Sequence, residues 1–229
     1  LMAERKRNEK EFGLLAVSTG DGIDELFKAL AVDALISGGQ TMNPSIDTIA
    51  SAINKINARN VFVLPNNSNI ILAAQQASEL TQKGVVLIPT KTIPQGIAAC
   101  MAYSKDATIA ENEQAMKDAI AEVISGAVTY AVRNTTFDGI TVKKGDMIGL
   151  VNNHPSVSGT SVEEATEALV RKMIAERGDE ACTVTLYFGE GQTEENAQAI
   201  ADKLQVEFAD AEFMVLAGGQ PLYYYYIAV

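Results

Sequence analysis

Four short apolar runs lie in the first hundred residues, and each stops abruptly at a polar loop rich in Gly, Asn or Thr. The runs are LLAV at 14–17, ALI at 34–36, VFVL at 61–64 and VVLI at 85–88. The loops that follow read STGDG, SGGQTMNPS, PNNSN and PTKTIPQG. Uninterrupted apolar runs this short suit strands buried on both faces, as in a parallel sheet. Parallel strands all point one way, so the four loops gather along one edge. Open α/β sheets place their ligands and contacts at that edge.

Helical periodicity fills the spaces between the runs. Ile23, Leu26, Phe27 and Leu30 share one face over 22–31, and Ile46, Ile49, Ala50, Ile53 and Ile56 share one over 44–57. Segments 69–82 and 94–103 follow the third and fourth runs. Asn43 and Asn69 read as helix caps, with Pro44 at a first helical position. Strand, loop and helix in repetition predict right-handed βαβ units. A further helix is expected over 108–124, with Ala115, Ala119 and Val123 inward, as a bridge between two halves.

The pattern then changes. Residues 127–158 show period-two stretches broken by Asp138-Gly139, Lys144-Gly145-Asp146 and Asn152-Asn153, the signature of antiparallel strands. Ser161 with Glu164 forms a capping box that opens a helix running to about Arg177. Strands are expected at 183–188, 213–216 and 222–229, and a helix at 194–208. The fold class is therefore α/β, with a parallel-sheet βαβ first subdomain followed by a mixed α+β subdomain. The boundaries are a charged helical connector at 1–12, a first subdomain at 13–125 and a second at 126–229. A start without Met suggests a piece cut from a longer protein.

Composition narrows the class of partner. A hydrophobic share of 47% supplies a full core. No run reaches the ~18 apolar residues of a membrane span, and the opening LMAERKRNEKEF lacks the apolar centre of a signal peptide. The net charge of −11 is uneven: residues 161–229 hold 13 acidic and 4 basic side chains. Such a surface repels phosphate backbones and anionic lipid, which argues against nucleic acid and an integral membrane as partners. Cys100 and Cys182, each in an apolar stretch, read as free thiols in a reducing cytoplasm. The single His154, in the turn NNHPS, cannot build a zinc site of the usual kind.

Catalytic patterns do not emerge. GxGxxG, GxxxxGK[ST] and GxSxG are all missing. The amides of STGDG could face an anion, but Asp21 repels one, and a structural turn is the reading. Asp21, Asp24 and Glu25 suit the positive end of a helix. No catalytic residue and no metal ligand is therefore assigned. The loops are instead rich in amides and hydroxyls: Gln40, Thr41, Asn43, Asn66, Asn67, Asn69, Thr90, Thr92 and Gln95, with Lys91 as the cation among them. These groups bond and orient without titrating near neutral pH. Gln40, Lys91 and Gln95 have no evident capping role, which points to recognition. Gly218-Gly219-Gln220 echoes Gly38-Gly39-Gln40 and leads into QPLYYYYIAV. Those tyrosines suit a protein interface, or an edge strand that closes the second core.

Several stretches in one order resemble a known family: SGGQTMNPS at 37–45, LPNN at 64–67, PTKTIPQG at 89–96, TYAVR at 129–133, DGITVKKGD at 138–146 and GGQPLY at 218–223. Together they resemble the C-terminal region of the bacterial fatty acid kinase kinase subunit, known too as dihydroxyacetone kinase-like or "DAK phosphatase". The second part is also loosely similar to DegV-like fatty-acid-binding proteins. The resemblance implies a non-catalytic module of a two-component kinase. It would dock the acyl-loaded DegV-like subunit while a missing N-terminal domain holds ATP and Mg; no cofactor is expected in this chain. The whole protein would be an ATP-dependent kinase, and this chain alone would not be an enzyme. The implied partner contacts are Gln40, Thr41, Asn43, Asn66, Asn67, Lys91, Thr92 and Gln95, with Gly218, Gly219, Gln220 and Tyr223 as a second set. An autonomous fatty-acid or small-metabolite binding domain and a structural homodimerisation module are the alternatives. Two positions depart from the family pattern: Tyr224 stands where Pro is usual, and His154-Pro155 where a Gly-Lys type sequence is common.

Overall fold

The computed structural model describes residues 2–38, 43–178 and 180–229. Two compact units divide the chain: 1–19 with 24–122, and 20–23 with 123–229.

The first unit is built on four parallel strands, β1 (Lys10–Ser18), β2 (Ala34–Ser37), β3 (Ala58–Leu64) and β4 (Gly84–Leu87), in the order β2-β1-β3-β4. These are the four apolar runs. Burial on both faces keeps the central two continuous: Leu14, Leu15, Ala16 and Val17 are all buried, as are Val61, Phe62, Val63 and Leu64, whereas the edge strands β2 and β4 are mostly half-buried. Leu15, Val17, Val61 and Val63 share one core with Ile49 and Ile53 of α3 (Ile46–Lys55) and Ile70 and Ala74 of α4 (Ser68–Ser78). On the opposite face Phe62 meets Phe12 and Tyr103 edge to face, and Tyr103 caps α5 (Ile93–Ala102).

The expected connector is shorter than 1–12. Helix α1 covers Met2–Arg7, and β1 already starts at Lys10, paired with Ala58 of β3. Arg59 bonds Glu9 and Glu11 there, so charges that read as a helix run along a strand end. The first cap also shifts. Ser45, not Asn43, caps α3 by accepting from the Thr48 N–H at 3.1 Å. Asn67, not Asn69, caps α4. In α6 (Ile109–Glu122) the buried stripe is Asn112 and Met116 rather than the expected alanines. Asn112 is buried because its side chain bonds both the N–H and the C=O of Ser104, at 2.8 Å each.

The second unit holds six strands in the order β11-β10-β12-β5-β8-β9. They are β5 (Ser125–Tyr130), β8 (Met147–Val151), β9 (His154–Gly159), β10 (Thr183–Phe188), β11 (Glu212–Ala217) and β12 (Tyr225–Ala228). A separate hairpin joins β6 (Thr135–Phe137) to β7 (Ile140–Val142). The turns sit where the sequence signalled them: Asp138 and Gly139 have φ of 47° and 77°, Asn152 and Asn153 of 47° and 67°. Positive φ at both central residues is what a two-residue hairpin turn requires.

Helices α7 (Val162–Arg177) and α8 (Glu194–Glu207) pack on one core with Val128, Val184, Leu186, Tyr225 and Ile227. Ser161 caps α7 as expected, but the Glu164 carboxylate accepts from the Thr160 N–H and hydroxyl, so the expected box does not close on Ser161. The tyrosine run is not an edge strand: β12 lies between β10 and β5, and Tyr225 and Tyr226 are buried. Tyr223 and Tyr224 precede the strand, and the Tyr224 N–H donates to the Val128 C=O at 2.8 Å. Proline, usual at this position in the resembled family, has no N–H to make that bond.

Candidate functional site

The carboxyl ends of β1, β3 and β4 carry the polar side chains of the first unit's rim. Ser18 ends β1 and is buried. Asn66, two residues beyond β3, adopts φ of 56° and is also buried. Asparagine tolerates this left-handed conformation better than most residues. Its amide donates to the Val17 C=O at 2.9 Å, and its own N–H donates to the Thr90 hydroxyl at 2.9 Å. Asn66 therefore ties the ends of all three strands together. Its Oδ1 and the Ser18 Oγ have no hydrogen-bond partner among the described residues. The Oδ1 lies against Gly96, where any Cβ would fall on it. Ser18 was missed in the sequence, although STGDG marks the end of its strand.

The loop after β4 caps its own helix. The Thr92 hydroxyl accepts from the Gln95 N–H at 3.2 Å, and the Gln95 Oε1 accepts from the Lys91 N–H at 2.8 Å. The spacing Thr-x-x-Gln is a capping-box signal. Gln95 and the Lys91 backbone thus have the capping role that the sequence reading denied them. The Lys91 side chain is exposed and the Gln95 side chain half-buried. Asn43 is exposed and Asn67 is half-buried. Gln40 and Thr41 lie outside the described residues.

The predicted second contact sits in the second unit. Gln220 is fully buried, and its amide donates to the Tyr187 C=O at 2.9 Å. Its backbone C=O accepts from Glu190. The N–H groups of Gly218 and Gly219 both donate to the Phe188 C=O, at 2.9 and 3.1 Å. The Gly218 C=O accepts from Ile23 at 3.0 Å, so residues 20–23 and 217–220 pack backbone to backbone. Tyr223 stacks on Tyr226 with ring centroids 5.3 Å apart. Burial pushes the phenols of Tyr223 and Tyr226 up, and that of Tyr187 up to about 12. The Cys100 thiol is likewise raised to about 12 by burial, which suppresses the reactive thiolate.

Among the described residues, no group of three or more His, Cys, Asp and Glu gathers that could hold a metal ion. No described helix is long and apolar enough to cross a membrane. The rim is a set of hydrogen-bonding groups held by caps and strand ends, suited to orienting something placed against it.

Comparison with known proteins adds identity to this geometry. Residues 13–229 match the FakA-like_C family model, which describes the C-terminal region of FakA-like fatty acid kinase proteins. Protein YloV of Bacillus subtilis (strain 168) is 41% identical over 222 residues, covering 96% of this chain and 39% of YloV. The chain thus spans about two fifths of the curated relatives it matches. Among solved structures, a fatty-acid-binding DegV family protein from Thermus thermophilus aligns with a TM-score of 0.66 at 12% identity, over 95% of this chain and 99% of that one. The Streptococcus pneumoniae Fatty Acid Kinase (Fak) B3 protein, loaded with linoleic acid, aligns at 0.63 and 9% identity, over 95% and 98%. The dihydroxyacetone kinase of C. freundii aligns at 0.66 and 11%, over 97% of this chain and 49% of that one. At such identities the structural likeness shows a shared fold alone. The sequence match goes further: this chain belongs to the FakA-like C-terminal family of fatty acid kinase proteins.

Proposed function

We propose that this chain is the part of a cytoplasmic fatty acid kinase that docks the fatty-acid-loaded subunit. The carboxylate of the acyl chain would thereby be held for phosphorylation by ATP and magnesium bound elsewhere in the longer protein. The observation that carries this reading is the family match across residues 13–229, in a chain spanning two fifths of its relatives. The docked partner would share the DegV fold, as the linoleic-acid-loaded Fak B3 protein shares the fold of this chain.

The rim supports the reading through its chemistry. Asn43, Asn67, Lys91, Thr92 and Gln95 border the carboxyl edge of the parallel sheet, and Gln40 and Thr41 precede Asn43 in sequence. Asn66 sets the shape of that edge from beneath. Gly218, Gly219, Gln220 and Tyr223 form the second proposed contact, with Gln220 acting through the loop it anchors. Their contribution is alignment of two reactants, which is worth several kcal/mol of barrier when geometry is held.

Calorimetric titration of the chain with a cognate fatty-acid-binding subunit, loaded and then empty, tests the proposal. Micromolar or tighter binding that prefers the loaded form is expected. No binding in either form would overturn it. The fold shared with fatty-acid-binding DegV proteins favours one alternative, a chain that holds its own acyl ligand. Native mass spectrometry of the purified chain decides between them: a co-purifying fatty acid supports the alternative.

A further inference from the structure

The cations of the second unit fall into two groups. Residues 123–229 hold 15 acidic and 7 basic side chains. Four of the basic ones are bonded within the unit. Arg171 bonds Glu207 and Glu167, and Lys203 bonds Glu167. Lys172 donates to the Ser156 C=O and Arg177 to the Val229 C=O. The other three, Arg133, Lys143 and Lys144, all lie at the base of the β6–β7 hairpin. All three are exposed, and their side chains make no hydrogen bond or ion pair among the described residues.

The hairpin base is fixed by backbone. The Lys144 N–H donates to Asn134 Oδ1 at 2.8 Å, next to Arg133, and the Gly145 N–H donates to the Ala131 C=O at 2.8 Å. Asp146 closes the turn by accepting from the Lys143 N–H at 2.9 Å. The backbone that carries the three exposed cations is thereby fixed. Asp146 is the carboxylate beside them, and it bonds the Lys143 backbone and not a cationic side chain.

Apolar side chains are displayed at the same place. Val132, beside Arg133, is 72% exposed, and Tyr130, the last residue of β5, is 37% exposed. The Thr129 hydroxyl donates to the Leu222 C=O at 2.8 Å, which sets Leu222 against the end of β5. Leu222 is 41% exposed and has φ of 68°. A bulky side chain in the left-handed region is strained, and surrounding structure must impose it. The imposition is visible: Gln220 is buried on one side, and the Tyr223 and Tyr224 N–H groups bond Pro221 and Val128 on the other. The strained turn leaves two fifths of the Leu222 surface exposed.

We propose that the β6–β7 hairpin and the Leu222 turn form a docking surface for an acidic, partly apolar face of the acyl-presenting subunit; this rests on the docking reading. An anionic small ligand fits poorly, because the three cations are exposed and not gathered in a recess. A membrane fits poorly, because a chain of net charge −11 is repelled by anionic lipid. Exposed cations at a rim govern association rate and salt dependence, while an apolar anchor governs dissociation.

The test measures, over a salt series, the rates at which the loaded subunit binds and leaves the chain. The variants are Arg133→Glu/Lys143→Glu/Lys144→Glu and Leu222→Ala, each checked for native far-ultraviolet dichroism. The charge reversal touches only exposed side chains. It is expected to slow association at least tenfold and to flatten its salt dependence, with dissociation little changed. Leu222→Ala is expected to speed dissociation severalfold. If the unaltered chain binds and both variants match it, the hairpin inference is overturned while docking stands. If the unaltered chain does not bind at all, the docking reading itself fails. Sedimentation of the unaltered chain with phosphatidylglycerol vesicles, or its self-association, abolished by the charge reversal, would assign the surface to lipid or a second copy and overturn the inference.

Discussion

Asn66 shows how one side chain shapes the rim. It joins the ends of β1, β3 and the loop carrying Thr90, and that arrangement needs a residue without a Cβ opposite its Oδ1. Gly96 supplies it. Gly96→Ala should therefore destabilise the first unit by about 1–3 kcal/mol through overpacking, read as a lower urea midpoint with unchanged slope. Tyr187 offers a test of burial by titration. Its phenol ionises at about 12 in the folded chain against an ordinary value of 10.0. Between those values the unfolded chain binds fewer protons than the folded one, so stability falls as pH rises, by about 1.4 kcal/mol per pH unit for each such group. Below pH 10 its contribution is fully present. Urea midpoints measured from pH 9 upward should drop, and Tyr187→Phe should drop less steeply.

At the scale of elements, caps decide where loops end. Thr92 begins α5, and its hydroxyl is the acceptor for Gln95. Thr92→Ala should cost about 1 kcal/mol of stability, and amide exchange in residues 93–96 should quicken before the rest of the unit. Thr92→Ser should restore both. The Thr-x-x-Gln spacing was present in the sequence, but it was read as recognition and not as a cap. The caps at Ser45 and Asn67 were harder to place, because Asn43 lies two residues before the first, and Asn66 and Ser68 flank the second. Only the backbone angles of the finished turn distinguish them. The tyrosine run was ambiguous for a related reason. Alternation fixes which side chains share a face, but not whether the strand lies at the edge or in the middle of its sheet.

At the scale of the whole molecule, charge sets solution behaviour. The sequence isoelectric point is about 4.6. Solubility should pass through a minimum near that pH, where net charge vanishes and molecules cease to repel one another. Turbidity across an acid series checks this, and high solubility at that pH would contradict it. The acidic excess is concentrated in residues 161–229, which include α7 and α8. That concentration makes the three unpaired cations of the β6–β7 hairpin an exception within their unit.

The parallel sheet of the first unit was legible because strands buried on both faces must be apolar at every position, a demand that 14–17 and 61–64 satisfy openly. The hairpins of the second unit were legible because Asp-Gly and Asn-Asn tolerate the positive φ that tight turns require. The family was legible because SGGQTMNPS, PTKTIPQG and GGQPLY occur in one order. Other features became visible only in the folded chain. Asn66 and Gln220 read as exposed recognition residues, yet the fold buries both, since strand ends far apart in sequence present carbonyls that need donors. Leu222 read as part of a strand, yet its backbone is held in the left-handed region by bonds to β5. Partners of that kind are separated by 49 residues for Asn66 and 93 for Leu222. Local sequence carries propensity and period, whereas which carbonyl meets which donor is decided when the sheets assemble.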